Sequence, residues 1–308
     1  MDITKEYIVK SYAKLNLFLK IHDILPDEYH EVCTILTKIN LHDTITITFD
    51  KTQNEFSSSS ISMVSNTGQS IDTIQHNLVL DGVMEILKLL KIRYGIRHHS
   101  IEQISRMKIK INKKIPIGSG MGGGSSNVGT IMRFLYYHLK NLSIEDIVSI
   151  SNKIGVDVAF FTHNYQCALG THKGERLLKL RPYYHYYAVI VFPNFSCNTS
   201  YVYHNFSLTK TEKIHNEKIL DMSSIPELRR DLIFNIGNDL ENTAILLYPE
   251  ISYILRIIAS TSAIYYSMTG SGSACFGLFK NKREALLNAK KLQNTKDNWS
   301  IYVSKVNF

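Results

Sequence analysis

The sequence predicts an α+β fold in two domains, on three observations. Strand-like alternation and helix-like periodicity intermix along the chain without a regular β-α-β rhythm. A length of 308 residues suggests about two domains, at roughly 100–200 residues each. A glycine cluster, Pro116–Ser126, lies between an alternating stretch and an amphipathic one, the layout of a strand-to-helix loop. The break is expected near Phe161–Gln166, giving domains 1–165 and 166–308.

Each element has its own signal. Tyr7 to Ile21 is extended and apolar, Leu25-Pro26-Asp27-Glu28 is a turn, and Thr44–Phe49 alternates at period two. Ser57–Ser60 is a short polar loop. Between Ile74 and Leu90 the apolar residues Leu78, Val79, Ile86 and Leu90 fall at helical spacing. Met107–Ile111 alternates as a strand and feeds the glycine cluster. Val128, Ile131, Met132, Leu135 and Leu139 then mark an amphipathic helix that begins near Ser125. Ser143 with Asp146 forms a capping box, and Gly155 stops the helix between them. Strands follow near Tyr165–Leu169, Glu175–Leu180 and Tyr186–Phe192. Helices are expected around Pro226–Ile236, Leu240–Leu247 and Ile251–Ser260. Strand Ile264–Met268 leads through a second glycine cluster into strand Ala274–Phe279. Helix Lys282–Leu292 and strand Trp299–Val306 close the chain. There is no internal repeat.

Composition narrows the class. Hydrophobic residues make up 44% and charged residues 20%, enough for a packed core and against wholesale disorder. The net charge of +8 is spread evenly, with 18 basic to 15 acidic residues up to Ile154 and 17 to 12 after it. No basic arm or stripe stands out, and no nucleic-acid partner is expected; the Tyr183–Tyr187 cluster reads as strand packing. An anionic substrate is compatible with that charge. Cys33, Cys167, Cys197 and Cys275 are scattered without a C-x-x-C and read as reduced thiols. The histidines, His98-His99 included, form no metal-ligand spacing, and no metal ligand is assigned. Met1–Glu6 lacks the order of a signal peptide, and no run approaches the ~18 apolar residues of a membrane span. The expectation is a cytoplasmic protein without a membrane partner, a monomer or weak homodimer.

The glycine cluster carries the strongest chemical signal. Five of the chain's 16 glycines fall within Pro116, Ile117, Gly118, Ser119, Gly120, Met121, Gly122, Gly123, Gly124, Ser125 and Ser126. Glycine takes positive φ and lets backbone approach a ligand, and the free N–H groups at the start of the next helix suit a phosphate. A Walker A loop fails, because no Lys follows the glycines. Gly118-x-Gly120-x-x-Gly123 satisfies the dinucleotide pattern, but ~110 residues precede it and no chain-initial β-α-β unit contains it. That leaves a kinase with a loop of its own.

Pro116–Ser126 followed by Asn127 resembles the P-x-G-x-G-x-G-G-G-S-S-N signature of the GHMP kinases, which act on galactose, homoserine, mevalonate and phosphomevalonate among other substrates. Further blocks resemble that family in its own order. They are Ala13–Leu19, Asp27-Glu28-Tyr29-His30 for D-G-Y-H, and Ile154–Phe161 for G-A-D-V-P-x-F. Asn238-Asp239-Leu240-Glu241 follows for N-D-x-E, and Thr269–Cys275 for the late glycine motif. The resemblance spans nearly the whole chain. Tyr12, Glu28, Ser119 and Ala159 stand where the pattern has Pro, Gly, Gly or Ala, and Pro; none of them removes a reacting group.

The resemblance implies an N-terminal domain like domain 2 of ribosomal protein S5 and a ferredoxin-like C-terminal domain. The opening block and the Tyr-His pair point to the branch that uses ATP with Mg²⁺ to phosphorylate the 2-hydroxyl of 4-diphosphocytidyl-2-C-methyl-D-erythritol, a small cytidyl diphosphate made on the non-mevalonate isoprenoid route. A homoserine- or mevalonate-type kinase and a non-catalytic ligand-binding member of the fold are the alternatives. By the same resemblance Asp157 and Lys14 are catalytic, and Pro116–Ser126 bind ATP. Asn16, Tyr29, His30 and Tyr203 bind the substrate, with Tyr201 as the second choice for the latter aromatic. Read as bare residues, Asp157 is a helix cap and Lys14 a strand lysine that snorkels to solvent.

Overall fold

Two long strands, β1 (Tyr7–Ile24) and β2 (His30–Phe49), pair with each other and pass through both of the chain's two units. The turn between them is held by Glu28 N–H donating to the Leu25 carbonyl and Leu25 N–H to that of Tyr29. The structure is a computed structural model and describes residues 6–65, 68–71, 77–206 and 230–308.

The first unit gathers the described residues up to Tyr12, from His42 to Ile115 and from Gly123 to Asn164. The second half of β2 pairs antiparallel with β5 (Met107–Lys113), from Thr44 opposite Asn112 to Phe49 opposite Met107. β3 (Ile61–Ser65) lies parallel to β5, and the short β4 (Ser70–Ile71) extends the edge. Strict alternation turns Met107, Ile109, Ile111 and Lys113 inward. Helices α1 (Leu78–Tyr94), α2 (His99–Ser105), α3 (Gly123–His138), α4 (Ile144–Ile154) and α5 (Val158–His163) complete the unit. Val83, Ile86, Val128, Ile131, Leu135 and Ile147 close over Ile45, Ile47 and Ile109 to form its core. The capping box of α4 is present as the sequence predicts, with Gly155 at its C-terminus. Helices α2 and α5 lacked a sequence signal of sufficient length; each spans less than two turns.

The second unit gathers Ala13–Leu41, Pro116–Gly122 and the described residues from Tyr165 onward. An antiparallel sheet runs in the order β11 (Ser300–Asn307), β8 (His185–Phe192), β10 (Cys275–Phe279), β9 (Tyr265–Met268). The first half of β2 pairs with β6 (Cys167–Thr171), which forms a hairpin with β7 (Arg176–Lys179). The helices are α6 (Thr199–His204), α7 (Arg230–Ile236), α8 (Glu241–Leu247), α9 (Glu250–Ala259) and α10 (Lys282–Gln293). Ile251, Ile254 and Ile258 of α9 pack with Val189, Val191, Cys275 and Phe279 in its core. The helix expected from Pro226 lies partly outside the described residues. One passage between units falls at Asn164/Tyr165. The remaining passages arise because β1 and β2, at 18 and 20 residues, carry the chain from one unit to the other, and because the glycine loop divides between them.

Candidate active site

Within the second unit, β1 is buried on both faces from Ala13 to Ile21, so a lysine and an asparagine on it must be satisfied internally. Lys14 is only 3% exposed and Asn16 only 4%, which corrects the snorkelling reading of Lys14. The Lys14 ammonium donates to Asn16 Oδ1 at 2.5 Å, and Asn16 Nδ2 donates to Thr34 Oγ1 at 2.9 Å. The backbone N–H of Asn16 donates to Thr269 Oγ1 at 3.0 Å. Asn238 Nδ2 donates to the carbonyls of Met268 and Gly270, at 2.9 and 2.8 Å. Glu241 accepts from Met268 N–H and from Ser267 Oγ; burial pushes its carboxyl up. The N-D-L-E stretch is thereby explained. Asn238 and Glu241 hold the turn after β9, while Asp239 binds Lys20 and the N–H of Ile21 on β1.

The loop segment Pro116–Gly122 belongs to this unit. Gly118, Gly120 and Gly122 have φ of 69°, 77° and 69°, the left-handed region that glycine enters without strain. A Cβ on Gly118 would lie 2.0 Å from Ser196 Oγ, and one on Gly120 would lie 2.3 Å from the Thr269 carbonyl oxygen. Two of the glycines are thus required by the chain's own packing as well as by any ligand. Met121 is buried, and its carbonyl accepts from Lys14 N–H at 3.0 Å.

In the first unit the loop becomes α3 at Gly123. Ser126 is fully buried, its hydroxyl 2.7 Å from that of Ser11. Asn127 Nδ2 donates to Ser11 Oγ and to the buried carboxylate of Asp43. Asp157 stands at the N-cap position of α5, yet its carboxylate makes no capping hydrogen bond, so the helix-cap reading does not hold. It is partly exposed.

The residues expected to recognise the substrate lie in the second unit. The His30 ring is 5.2 Å from that of Tyr203 on α6, with Phe206 at 6.0 Å. Burial draws the His30 pKa down, which favours the neutral imidazole. Tyr29 is exposed, and the Lys173 ammonium stands 4.3 Å over its ring. Glu28, where the D-G-Y-H pattern has glycine, has φ of 67°. Tyr201 is exposed. All four cysteines are free and buried; burial raises the Cys33, Cys167 and Cys197 thiols to about 12, which leaves them unreactive. Among the described residues no three His, Cys, Asp or Glu side chains gather to hold a metal, and no helix is long and apolar enough to cross a membrane.

Two family descriptions match the chain: GHMP kinases N terminal domain over residues 81–165, and GHMP kinases C terminal over residues 219–296. The chain belongs to the GHMP kinase family. Among curated relatives, a 4-diphosphocytidyl-2-C-methyl-D-erythritol kinase of Bacillus pumilus is 30% identical over 283 residues, 91% of either chain. One of that name from Francisella tularensis is 32% identical over 298 residues, 94% of either chain. A crystal structure of 4-(cytidine 5'-diphospho)-2C-methyl-D-erythritol kinase superposes with a TM-score of 0.73 at 22% identity, over 98% of this chain and 100% of that one. That likeness establishes the GHMP kinase fold. Sequence reasoning singled out neither Thr34, which accepts from Asn16, nor Asp43 and Lys113, which meet the Asn127 side chain. The alternation that puts Lys113 on the face of Ile109 and Ile111 was the available signal for one of them.

Proposed function

We propose that the protein transfers the γ-phosphoryl group of ATP to the 2-hydroxyl of 4-diphosphocytidyl-2-C-methyl-D-erythritol, releasing ADP and the 2-phosphate. The observation that carries this reading is the buried Lys14–Asn16 pair beside the Thr269–Ser273 turn. It sits in a chain whose relatives at 30–32% identity bear that kinase's name. Phosphoryl transfer needs positioned anionic oxygens and an oriented hydroxyl, with little covalent work by the protein. The amides of Gly118–Ser126 cradle the ATP phosphates. Asp157, a carboxylate not used to cap its helix, takes the hydroxyl proton. Lys14 neutralises charge on the transferred group. Asn16 orients the acceptor, and Tyr29, His30 and Tyr203 hold the cytosine. Mg²⁺ would accompany ATP, bound largely through the substrate phosphates and water, and would supply charge neutralisation there. The protein works in the cytoplasm, as a monomer or weak homodimer.

The test is ADP release with ATP and Mg²⁺ against a panel of this cytidyl alcohol, homoserine, mevalonate and CDP, with ³¹P NMR of the product. A new phosphate monoester with the cytidyl alcohol alone is the expected result. Turnover of mevalonate or homoserine at a comparable rate, or of none of the panel, would overturn it.

A further inference from the structure

The chain enters the glycine loop from the end of β5 and leaves it into α3, and one buried carboxylate binds both ends. Asp43, at the middle of β2, is 0% exposed. Its Oδ1 accepts from the backbone N–H of Lys114 at 2.7 Å and of Ile115 at 2.8 Å, the two residues that precede Pro116. Its Oδ2 accepts from the Lys113 ammonium and, at 3.0 Å, from Asn127 Nδ2, the first residue after Ser126. The Lys113 ammonium also donates to Asn127 Oδ1 at 3.1 Å. Asn127 Nδ2 continues to Ser11, whose hydroxyl meets that of Ser126. Asp43, Lys113, Ile115, Asn127, Ser11 and Ser126 are buried and Lys114 is exposed, so most of these bonds form where water cannot replace them.

The charges add a second reason for the arrangement. A Cβ built on Gly123, the first residue of α3, would lie 3.2 Å from Lys113 Nζ. An ammonium beside a helix N-terminus is repelled by the dipole, and its hydrogen bond to the Asp43 side chain offsets that. Both stems of the loop are therefore fixed in spacing and in charge by a residue more than seventy positions upstream.

We infer that Asp43 is a positioning residue for nucleotide binding. With Lys113 and Asn127 it sets the separation of the two stems, so that the amides of Gly118–Ser126 are presented in one geometry to phosphate. The inference rests on the proposal that this loop binds ATP. It assigns Asp43 no contact with the nucleotide and no part in binding the acceptor.

The experiment compares the wild-type protein with Asn127→Ala and Asp43→Asn. ATP affinity is measured by calorimetry, KM for ATP and for the acceptor by ADP release, folding by thermal melting, and loop mobility by amide exchange. Asn127→Ala cuts the tie to α3 and leaves the Asp43–Lys113 pair in place, so it should fold. Each folded variant should bind ATP about 10- to 100-fold more weakly, the loss of one or two buried hydrogen bonds. KM for the acceptor should move less than about two-fold, and the loop amides should exchange faster than those of the second unit's sheet. A folded Asn127→Ala protein with wild-type ATP affinity and loop protection overturns the inference, whether or not Asp43→Asn folds. A parallel rise of both KM values also overturns it, because a general loss of packing would then explain the effect. If the wild-type protein itself binds no ATP, the parent proposal falls along with this one, and that titration identifies the case.

Discussion

Asp157 and Lys14 show how much a single position constrains. Asp157 opens α5 without capping it, although Asp is among the residues that most often satisfy a helix N-terminus. Lys14 is buried on a strand where lysine ordinarily reaches for water, and Asn16 accepts its hydrogen bond. Both departures from the ordinary role are expected of side chains held for chemistry. Asp157→Asn keeps the size of the side chain but cannot take a proton. It should lower turnover by ~10²–10⁴-fold, the usual contribution of a general base, with ATP and acceptor binding retained. Single-turnover kinetics with both affinities measured would check this. Near wild-type turnover at saturating substrates would remove Asp157 from catalysis. Glu28 is the other telling residue. A non-glycine side chain at φ of 67° is strained by about 1 kcal/mol or more. The turn tolerates it because the backbone bonds between Leu25, Glu28 and Tyr29 fix the geometry from both sides.

At the scale of an element, α6 decides between two tyrosines. Residues two apart on a helix project about 200° from each other, so Tyr201 and Tyr203 cannot face the same way. The Asn198 side chain accepts from Tyr201 N–H and sets the helix phase. With that phase Tyr201 is exposed, while Tyr203 meets His30. Base–aromatic stacking is worth ~1–3 kcal/mol, or about 5- to 150-fold in affinity. Tyr203→Ala should raise the acceptor constant within that range and leave the ATP constant nearly unchanged, while Tyr201→Ala should do little. Steady-state kinetics on both variants measures the difference, and the reverse pattern would assign stacking to Tyr201.

Across the whole molecule, two histidines give stability a pH dependence whose sign is fixed. Burial holds His30 and His163 below the ordinary value of 6.5 in the folded protein. The unfolded chain therefore takes up protons first as pH falls, and stability is lost below about 6.5 as that uptake begins. A second loss follows at lower pH. Arg93 holds the Asp146 carboxyl at about 2, against an ordinary 3.8, so its contribution is present above 3.8 and disappears as pH falls toward 2. Melting temperatures should be level from pH 8 to 7 and fall from pH 6.5 to 5. The fall should be shallower in the His30→Gln, His163→Gln double variant. Identical slopes for the two proteins would count against the histidines as its source.

The sequence by itself determined the α+β class, most elements and the glycine loop. These depend on local signals: period-two alternation at Met107–Ile111, helical spacing at Val128–Leu139, the Ser143 capping box, and glycine density at Pro116–Ser126. Family blocks then singled out Lys14, Asn16, Tyr29, His30 and Asp157, because motif spacing survives in the linear chain. Short helices such as α2 and α5 stayed hidden, since fewer than two turns give no periodicity to count. Only the tertiary structure brought Asp43 to Lys113 and Asn127, 70 and 84 positions away in the chain, or turned the Asn238 amide onto the carbonyl of Gly270. Such contacts form when long strands such as β2 carry distant segments into one interior. A buried carboxylate there is stable only if the fold supplies its donors, and no local pattern of residues encodes which donors will arrive.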